Sequence, residues 1–384
     1  MSSERVLRAP SDFKQRAELL ASRGLSVPGG EDVVLGLFDE ELLVATGSLV
    51  GRVIEGVAVK KEREGQGLTS ELLSFLLRYA SDAGIWNLFL FTKPTEALRF
   101  VDLGFRFVAS TDSAALLEWG RPGIEEFLKN LALQSSGRFS DRFEDQFEDR
   151  FKDQFKDRFE DQFEENGEKT SRRGERSFSC NCGCVVANCN PFTRGHRYLI
   201  ETASLVSERL YVIVVEDPGG VVNAANRPAF PFEVRFRLVR EGVKDLRNVF
   251  VLSGGEYVIS AATFPSYFTG EKDVAFVHAA LDLEIFATRI APALSITRRF
   301  VGTEPFSPVT NIYNETMKRL LPRHGIAVEE LERIQVGGTA VSASRVRALL
   351  RKGSVEDARE LVPPCTWRFL DSSEAEPVLR KLRG

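Results

Sequence analysis

From residue 184 onward, short apolar runs alternate with amphipathic stretches, and no other feature limits the possible folds of this chain as strongly. Runs at 185–188, 210–215, 248–252 and 299–301 read as strands, and stretches at 196–206, 232–244, 281–290 and 342–351 read as helices. Strands separated by helices of this length cannot pair through tight hairpins. They pair parallel, with the helices as crossovers, so residues 178–384 are expected to form a parallel, Rossmann-like α/β domain. Upstream, residues 31–119 place short strands (41–47, 85–91) around a helical stretch at 68–79, which predicts a separate compact α/β unit within 1–130. Two units suit a chain of 384 residues, longer than one hydrophobic core usually supports.

Residues 131–177 join the two. Phenylalanine recurs at 139, 143, 147, 151, 155, 159 and 163 within a charged, low-complexity repeat. On a helix each step of four overshoots a turn by about 40°, so the aromatic stripe winds around the rod and makes no single packing seam. A partly helical linker supported by charge pairs four residues apart is the favoured reading. A helix that binds a partner or self-associates is the alternative.

A net charge of -4 leaves no basic footprint for nucleic acid. No run of about 18 apolar residues is present, and residues 1–10 hold no apolar signal core, so the expected location is cytoplasmic, without membrane contact. Five cysteines, an odd count, then point to reduced thiols. Cys180, Cys182 and Cys184 alternate along one strand with Cys189 beyond. That is poor geometry for a tetrahedral zinc site, and small buried or mobile thiols are favoured. His278 lies in an apolar helical run and reads as a core or rim residue, while His324 precedes a glycine helix stop.

Two turns carry the chemistry. Asn190-Pro-Phe-Thr-Arg-Gly-His-Arg197 stands where a buried strand ends and a helix begins, the place where an open parallel sheet binds ligands. Gly195 lets backbone approach a phosphate, the free N–H groups of the helix start point at it, and Thr193 and His196 set a hydroxyl and an imidazole beside it. Further on, Val341-Ser-Ala-Ser-Arg-Val-Arg347 opens another helix with Ser342 as its N-cap and Ser344, Arg345 and Arg347 in its first turns, a second anion-binding set. Alone, either turn also reads as an ordinary capped helix. Together, in this order and about a domain apart, they form a far more specific pair.

The pair resembles the T/H-x-G-H and I-S-S-T-x-x-R signatures of the nucleotidylyltransferase superfamily. More closely, the second domain is similar to the C-terminal part of the citrate lyase ligase family, through Asn188-Cys-Asn-Pro-Phe-Thr-Arg-Gly-His-Arg-Tyr-Leu199, Pro231-Phe-Glu-Val-Arg-Phe-Arg-Leu-Val-Arg240, Ala262-Thr-Phe-Pro-Ser-Tyr-Phe268, Leu281-Asp-Leu-Glu-Ile-Phe286 and Arg299-Phe-Val-Gly-Thr-Glu-Pro305. The first signature has Thr193 where the superfamily has its first histidine, and the second reads Val-Ser-Ala-Ser. The resemblance implies an ATP-dependent ligase that forms acetyl-AMP from acetate and passes the acetyl group to the thiol of the CoA-like prosthetic group on citrate lyase's acyl carrier subunit. Acetate is already ionised at neutral pH, so the first step needs phosphate charge neutralisation and in-line positioning but no general base. Thr193 and His196 are accordingly placed at the α- and β-phosphates, and Ser342, Ser344 and Arg347 on the leaving pyrophosphate. Asn190, Pro191, Phe192, Gly195, Arg197 and Arg345 complete the nucleotide-binding set. Mg²⁺ shares the phosphate charge. Glu304 and Asp282 are weaker candidates for ordering Mg²⁺ or substrate, with a structural role as the alternative.

In the first unit, Glu62-Arg-Glu-Gly-Gln-Gly67 precedes the helical stretch and Phe100-Val-Asp-Leu-Gly-Phe105 follows the later strand. Together they resemble a GNAT-type N-acetyltransferase, whose glycine loop cradles the CoA pyrophosphate at a helix start. Glu62 stands where that family has Gln or Arg. The same unit is found at the N-terminus of citrate lyase ligases, and the resemblance suggests that Gly65, Gln66 and Gly67 hold the carrier's CoA-like arm. The competing functions are an adenylyltransferase acting on a small metabolite, a GNAT-type N-acetyltransferase, and a non-enzymatic partner protein using the Phe repeat.

Overall fold

The computed structural model describes residues 2–136, 181–216, 228–259, 271–304 and 308–383. The Phe repeat, Cys180 and the 262–268 stretch lie outside the described residues.

The first unit holds a seven-stranded sheet in the order β1-β2-β3-β4-β5-β7-β6: β1 Ser3–Val6, β2 Val33–Asp39, β3 Leu42–Val50, β4 Val53–Val59, β5 Asn87–Thr92, β6 Arg106–Ser110 and β7 Ala115–Gly120. All neighbours pair antiparallel except β4 and β5, which pair parallel through Val53↔Phe89 and Ile54↔Leu90. That crossover is made by helix α2 (Leu68–Asp82), which follows α1 (Pro10–Ser22) in the chain. Leucines at 68, 72, 73 and 76 recur at helical spacing and are buried on α2, against Leu35, Leu37, Leu88 and Leu90 of the sheet. Helix α3 (Pro94–Val101) packs on the same side through Ala97 and Phe100.

The second sheet has five parallel strands in the order β10-β9-β8-β11-β12: β8 Cys182–Ala187, β9 Arg209–Val214, β10 Val249–Ser253, β11 Ile296–Gly302 and β12 Ala327–Leu331. The alternation read from the sequence therefore produces the expected architecture, with β12 as an added edge strand. After α4 (Ile124–Ser136), helices α5 (Arg194–Leu205), α6 (Phe232–Gly242), α7 (Glu271–Ile285), α8 (Pro308–Leu320), α9 (Ala343–Arg351), α10 (Pro364–Leu370) and α11 (Glu376–Arg383) complete the chain. The stretch expected as a helix over 281–290 is the end of the longer α7, continued by a wide turn through Phe286–Ile290. Cys182, Cys184 and Cys189 are buried, and burial pushes the Cys184 thiol up to about 11 and that of Cys189 to about 12, so these thiols pack as small apolar groups. His278 is buried with its ring edge-on to Phe91, and burial pushes its pKa down to about 4.

Helix α4 runs past residue 130, where the first domain was expected to end. Its Ile124, Leu128 and Leu131 join one buried cluster containing Val53, Phe89, Phe91 and Leu116 from the first sheet and Cys184, Tyr211, Ile213 and Phe250 from the second. One face of the first sheet thus shares a core with the second unit. Polar groups reinforce the junction: Tyr257, beyond β10, donates its hydroxyl to buried Glu118 of β7 at 2.5 Å, and Arg52 pairs with Glu256 at 3.4 Å.

Candidate active site

In the order β10-β9-β8-β11-β12, the chain winds outward one way from β8 and then the other way from β11, so the switch point of the sheet lies between those two strands. In open parallel sheets ligands bind at such a point, outside the carboxyl ends of the strands. The 190–197 turn leaves β8, and Thr303 and Glu304 leave β11, so both border it. Buried Arg235 braces this edge, donating to the carbonyls of Asn188, Val215 and Phe230 at 2.7, 2.8 and 3.0 Å.

Thr193 is the N-cap of α5. Its Oγ1 accepts the His196 N–H at 3.3 Å, and its own N–H donates to His196 Nδ1 at 3.1 Å. Since Nδ1 accepts a hydrogen bond, the imidazole proton sits on Nε2. The Thr193 hydroxyl is 2.9 Å from the same Nδ1, and the residue is only 1 % exposed. The N-cap side chain turns back onto its own helix, where it and the Thr193 N–H hold the tautomer of His196. Phe192, fully buried, stacks on the imidazole with centroids 6.0 Å apart, supporting the ring.

The two signature turns meet. A Cβ added to Gly195 would lie 3.1 Å from the Val341 carbonyl, so the start of α5 packs against the residue before the α9 cap. Ser342 is that cap, accepting the Arg345 N–H at 3.1 Å. Arg347 spans the junction, donating to the Asn190 carbonyl and, at 3.2 Å, to Ser344 Oγ. Two helix N-termini, with their unpaired amides and positive dipole ends, therefore face one region together with a guanidinium and a serine hydroxyl. Asn190 contributes structure, its Oδ1 accepting the Phe230 N–H at 3.2 Å, and Pro191 is buried.

Two arginines assigned from the signatures are directed elsewhere. Arg197 donates to both carboxylate oxygens of Asp245 at 2.7 Å and to the Gly242 carbonyl at 2.7 Å, tying α5 to the loop after α6. Arg345 reaches the carbonyls of Val336 and Thr339, both at 3.3 Å, across the small hairpin Gln335–Val336/Thr339–Ala340. In the structure both brace neighbouring elements. Periodicity places a residue on a helix face, and its direction then depends on a neighbour distant in sequence.

Arg333, which sequence reasoning missed, follows β12. It pairs with Glu304 at 2.6 Å and donates through Nε to the Thr303 carbonyl. Its only sequence signal was position, a cation just past an apolar run, and that run was not recognised as a strand. Burial, then the charges of Arg333 and Arg347, push the His196 pKa down to about 4. The imidazole is therefore neutral at physiological pH and presents Nε2–H as a donor between two cations. This set of donors and positive charges, with no base, suits a polyanion.

The carboxylates do not form a metal cage. Asp282 is buried and accepts the Ile259 N–H and the Tyr313 hydroxyl, each at 2.6 Å, so its role is structural. Glu304 is engaged by Arg333. Among the described residues, no group of three or more His, Cys, Asp or Glu side chains gathers as for a metal ion.

In the first unit, Gly65 and Gly67 have φ of +77° and +79°, and Gly67 is the N-cap of α2. Such backbone favours glycine. A Cβ at either position would meet nothing within 4 Å, so the loop is open in front of the free amides of the α2 start. Arg63 orders it from behind, donating to Gln66 Oε1 at 2.7 Å and to Asp39 at 2.6 Å.

Comparison with known proteins agrees with this geometry. Residues 182–370 match the citrate lyase ligase C-terminal domain family. The [citrate [pro-3S]-lyase] ligase of Klebsiella pneumoniae is 36% identical over 338 residues, 86% of this chain and 84% of its own length. That of Escherichia coli (strain K12) is 32% identical over 371 residues, 94% of this chain and 92% of its own. With the switch point, the paired helix starts and likeness along nearly the whole chain in agreement, the protein belongs to the citrate lyase ligase family and is an enzyme.

Proposed function

We propose that the chain activates acetate with ATP, forming acetyl-AMP and pyrophosphate, and then acetylates the thiol of the CoA-like prosthetic group on citrate lyase's acyl carrier subunit. One observation carries this reading: a neutral His196 is flanked by Arg333 and Arg347 where two helix N-termini converge. The acetate oxygen attacks the α-phosphorus in line, the bond to the β-phosphate oxygen breaks, and charge grows on the leaving pyrophosphate. Nε2–H of His196, the amides opening α5 and α9, Ser344 and Arg347 stabilise that charge without giving up a proton. Thr193 and Ser342 position the donors. Mg²⁺ travels with ATP on its phosphates, consistent with carboxylates that are otherwise engaged.

The test is product analysis. Acetate, ATP, Mg²⁺ and deacetylated citrate lyase should yield free AMP and restored lyase activity. A stable adenylylated metabolite would instead identify a transferase, and acetyl-CoA consumption without ATP an N-acetyltransferase.

The open Gly65–Gly67 loop is the support for assigning the carrier's arm to the first unit. Deleting that unit would strip Phe89, Phe91 and Ile124 from the shared core, so the informative change is local. Gly65→Glu meets no atom, costs about 1–2 kcal/mol of backbone strain and brings a carboxylate toward the cradle. It should raise the KM for the carrier by about tenfold while slowing acetyl-AMP formation far less. An unchanged carrier KM removes the assignment.

A further inference from the structure

Part of what holds His196 comes from elements outside both signature turns. The imidazole rests on Phe192, with the two rings 14° from parallel. Phe192 is fully buried, in a cluster with Ile200 of α5, Leu238 and Val239 of α6 and Cys365 of α10. A ring packed on all sides keeps one orientation, so whatever fixes Phe192 also fixes the imidazole stacked on it.

Two residues do so directly. Gly242, the last residue of α6, meets the edge of the ring: a Cβ there would lie 2.3 Å from Phe192 Cε1 and 3.1 Å from Cys365 Sγ. Its φ is not left-handed, so the position requires glycine for space alone. Thr366, fully buried in the first turn of α10, donates its hydroxyl to the Phe192 carbonyl at 2.9 Å. The Gly242 carbonyl also accepts from Arg197, the residue after His196, at 2.7 Å. The ring beneath His196, the backbone before it and the side chain after it are thus all held by α6 and α10.

We propose that Gly242 and Thr366 are positioning residues for the adenylation step: they seat Phe192, and through it keep the His196 imidazole where its Nε2–H donates to the phosphates. The inference rests on the reading that His196 is that donor, and it extends the working site to two helices that carry no signature residue.

The seat also governs protonation. The charged groups acting on His196 are Arg333, beyond β12 and paired with Glu304, and Arg347 of α9. On the other elements packed there, Arg197 of α5 is turned to Asp245, Glu241 of α6 to Arg368 of α10, and the Cys365 thiol to the Leu238 carbonyl. Burial is the larger cause of the low His196 pKa, so an unseated ring that gains water should titrate closer to the ordinary histidine value of about 6.5.

The test uses the full chain with ring-¹⁵N histidine. His196 is one of three histidines, and its signal is the one missing from His196→Ala. In the wild type that signal should stay flat down to about pH 5.5, because its pKa lies near 4. In Thr366→Val, which keeps the shape but not the donor, and in Gly242→Ala, which drives a methyl group at the Phe192 ring, it should titrate at about 6.5. Both variants should slow acetate-dependent exchange of pyrophosphate into ATP about tenfold at saturating substrate, with the KM for ATP within about twofold of wild type. Thr366→Ser, which keeps the hydroxyl, should show neither change. If Gly242→Ala does not fold, Thr366→Val decides. A flat His196 signal in the variant, whatever its rate, or wild-type exchange despite a shifted signal, overturns the positioning roles and leaves His196 as the donor. Wild-type exchange in His196→Ala overturns the donor reading and this inference with it.

Discussion

Replacing His196 with alanine should lower acetate-dependent exchange of pyrophosphate into ATP by about 10²-fold or more, the usual cost of removing one donor from a site of developing oxyanion charge. The fold should survive, because the Thr193 cap still satisfies the residue 196 amide and the ring, though stacked on Phe192, is only half-buried. Circular dichroism and thermal melting close to wild type would show this. His196→Asn, which restores an N–H donor, should recover part of the loss. The pH dependence separates a donor from a base. With its pKa held near 4 by burial and two arginines, His196 contributes no ionisation to the exchange rate around pH 6.5, and its donor stays neutral until the pH falls through about 4. A base of ordinary pKa would give a rising limb near 6.5. Exchange at the wild-type rate in the alanine variant removes the catalytic assignment.

Glu118→Ala should be the most destabilising single change at the junction of the two units. Glu118 is 1 % exposed, accepts the Ile124 N–H on both oxygens at 3.1 and 3.0 Å, pairs with Arg106 at 3.1 Å and receives the Tyr257 hydroxyl at 2.5 Å. Truncation leaves the start of α4 and a buried phenol without an acceptor and frees the charge of Arg106. Breaking such a network costs about 3–5 kcal/mol, or a melting temperature lower by about 10 °C. Glu118→Gln keeps an acceptor and should lose less. Tyr257→Phe, which removes one donor of several, should lose about 1–2 kcal/mol. A Glu118→Ala protein melting within a degree or so of wild type would show that the apolar cluster alone holds the units together.

The parts of the fold that depend on local periodicity were legible. Helices at 68, 194 and 232 begin within two residues of expectation, and the strands of the second sheet follow from apolar runs between them. Strand β12 was missed because Ala327–Leu331 carries two glutamates on a sheet edge, where half the side chains face water. The same oversight hid Arg333, whose meaning depends on β12 lying beside β11. Arg197 shows the converse: its signature position was readable, but its partner Asp245 lies 48 residues on, across a helix packing that no local pattern encodes. Thr193 shows a further limit of sequence: a cap and a phosphate contact need the same residue type at the same place, and only the structure shows the cap. Convergence of the two signature turns was the expectation on which the functional reading depended, and Gly195 against Val341 meets it.

The cluster shared by the two sheets also sets how a tethered thiol can be used. Phe89, Phe91 and Leu128 pack in the same layer as Tyr211 and Phe250, so among the described residues one core joins the unit that carries the glycine loop to the unit that carries the two signature turns. The protein therefore behaves as a fixed frame of reference. On the proposed reading, movement between the glycine loop and the acetyl-AMP site then comes from the carrier and the length of its own swinging chain.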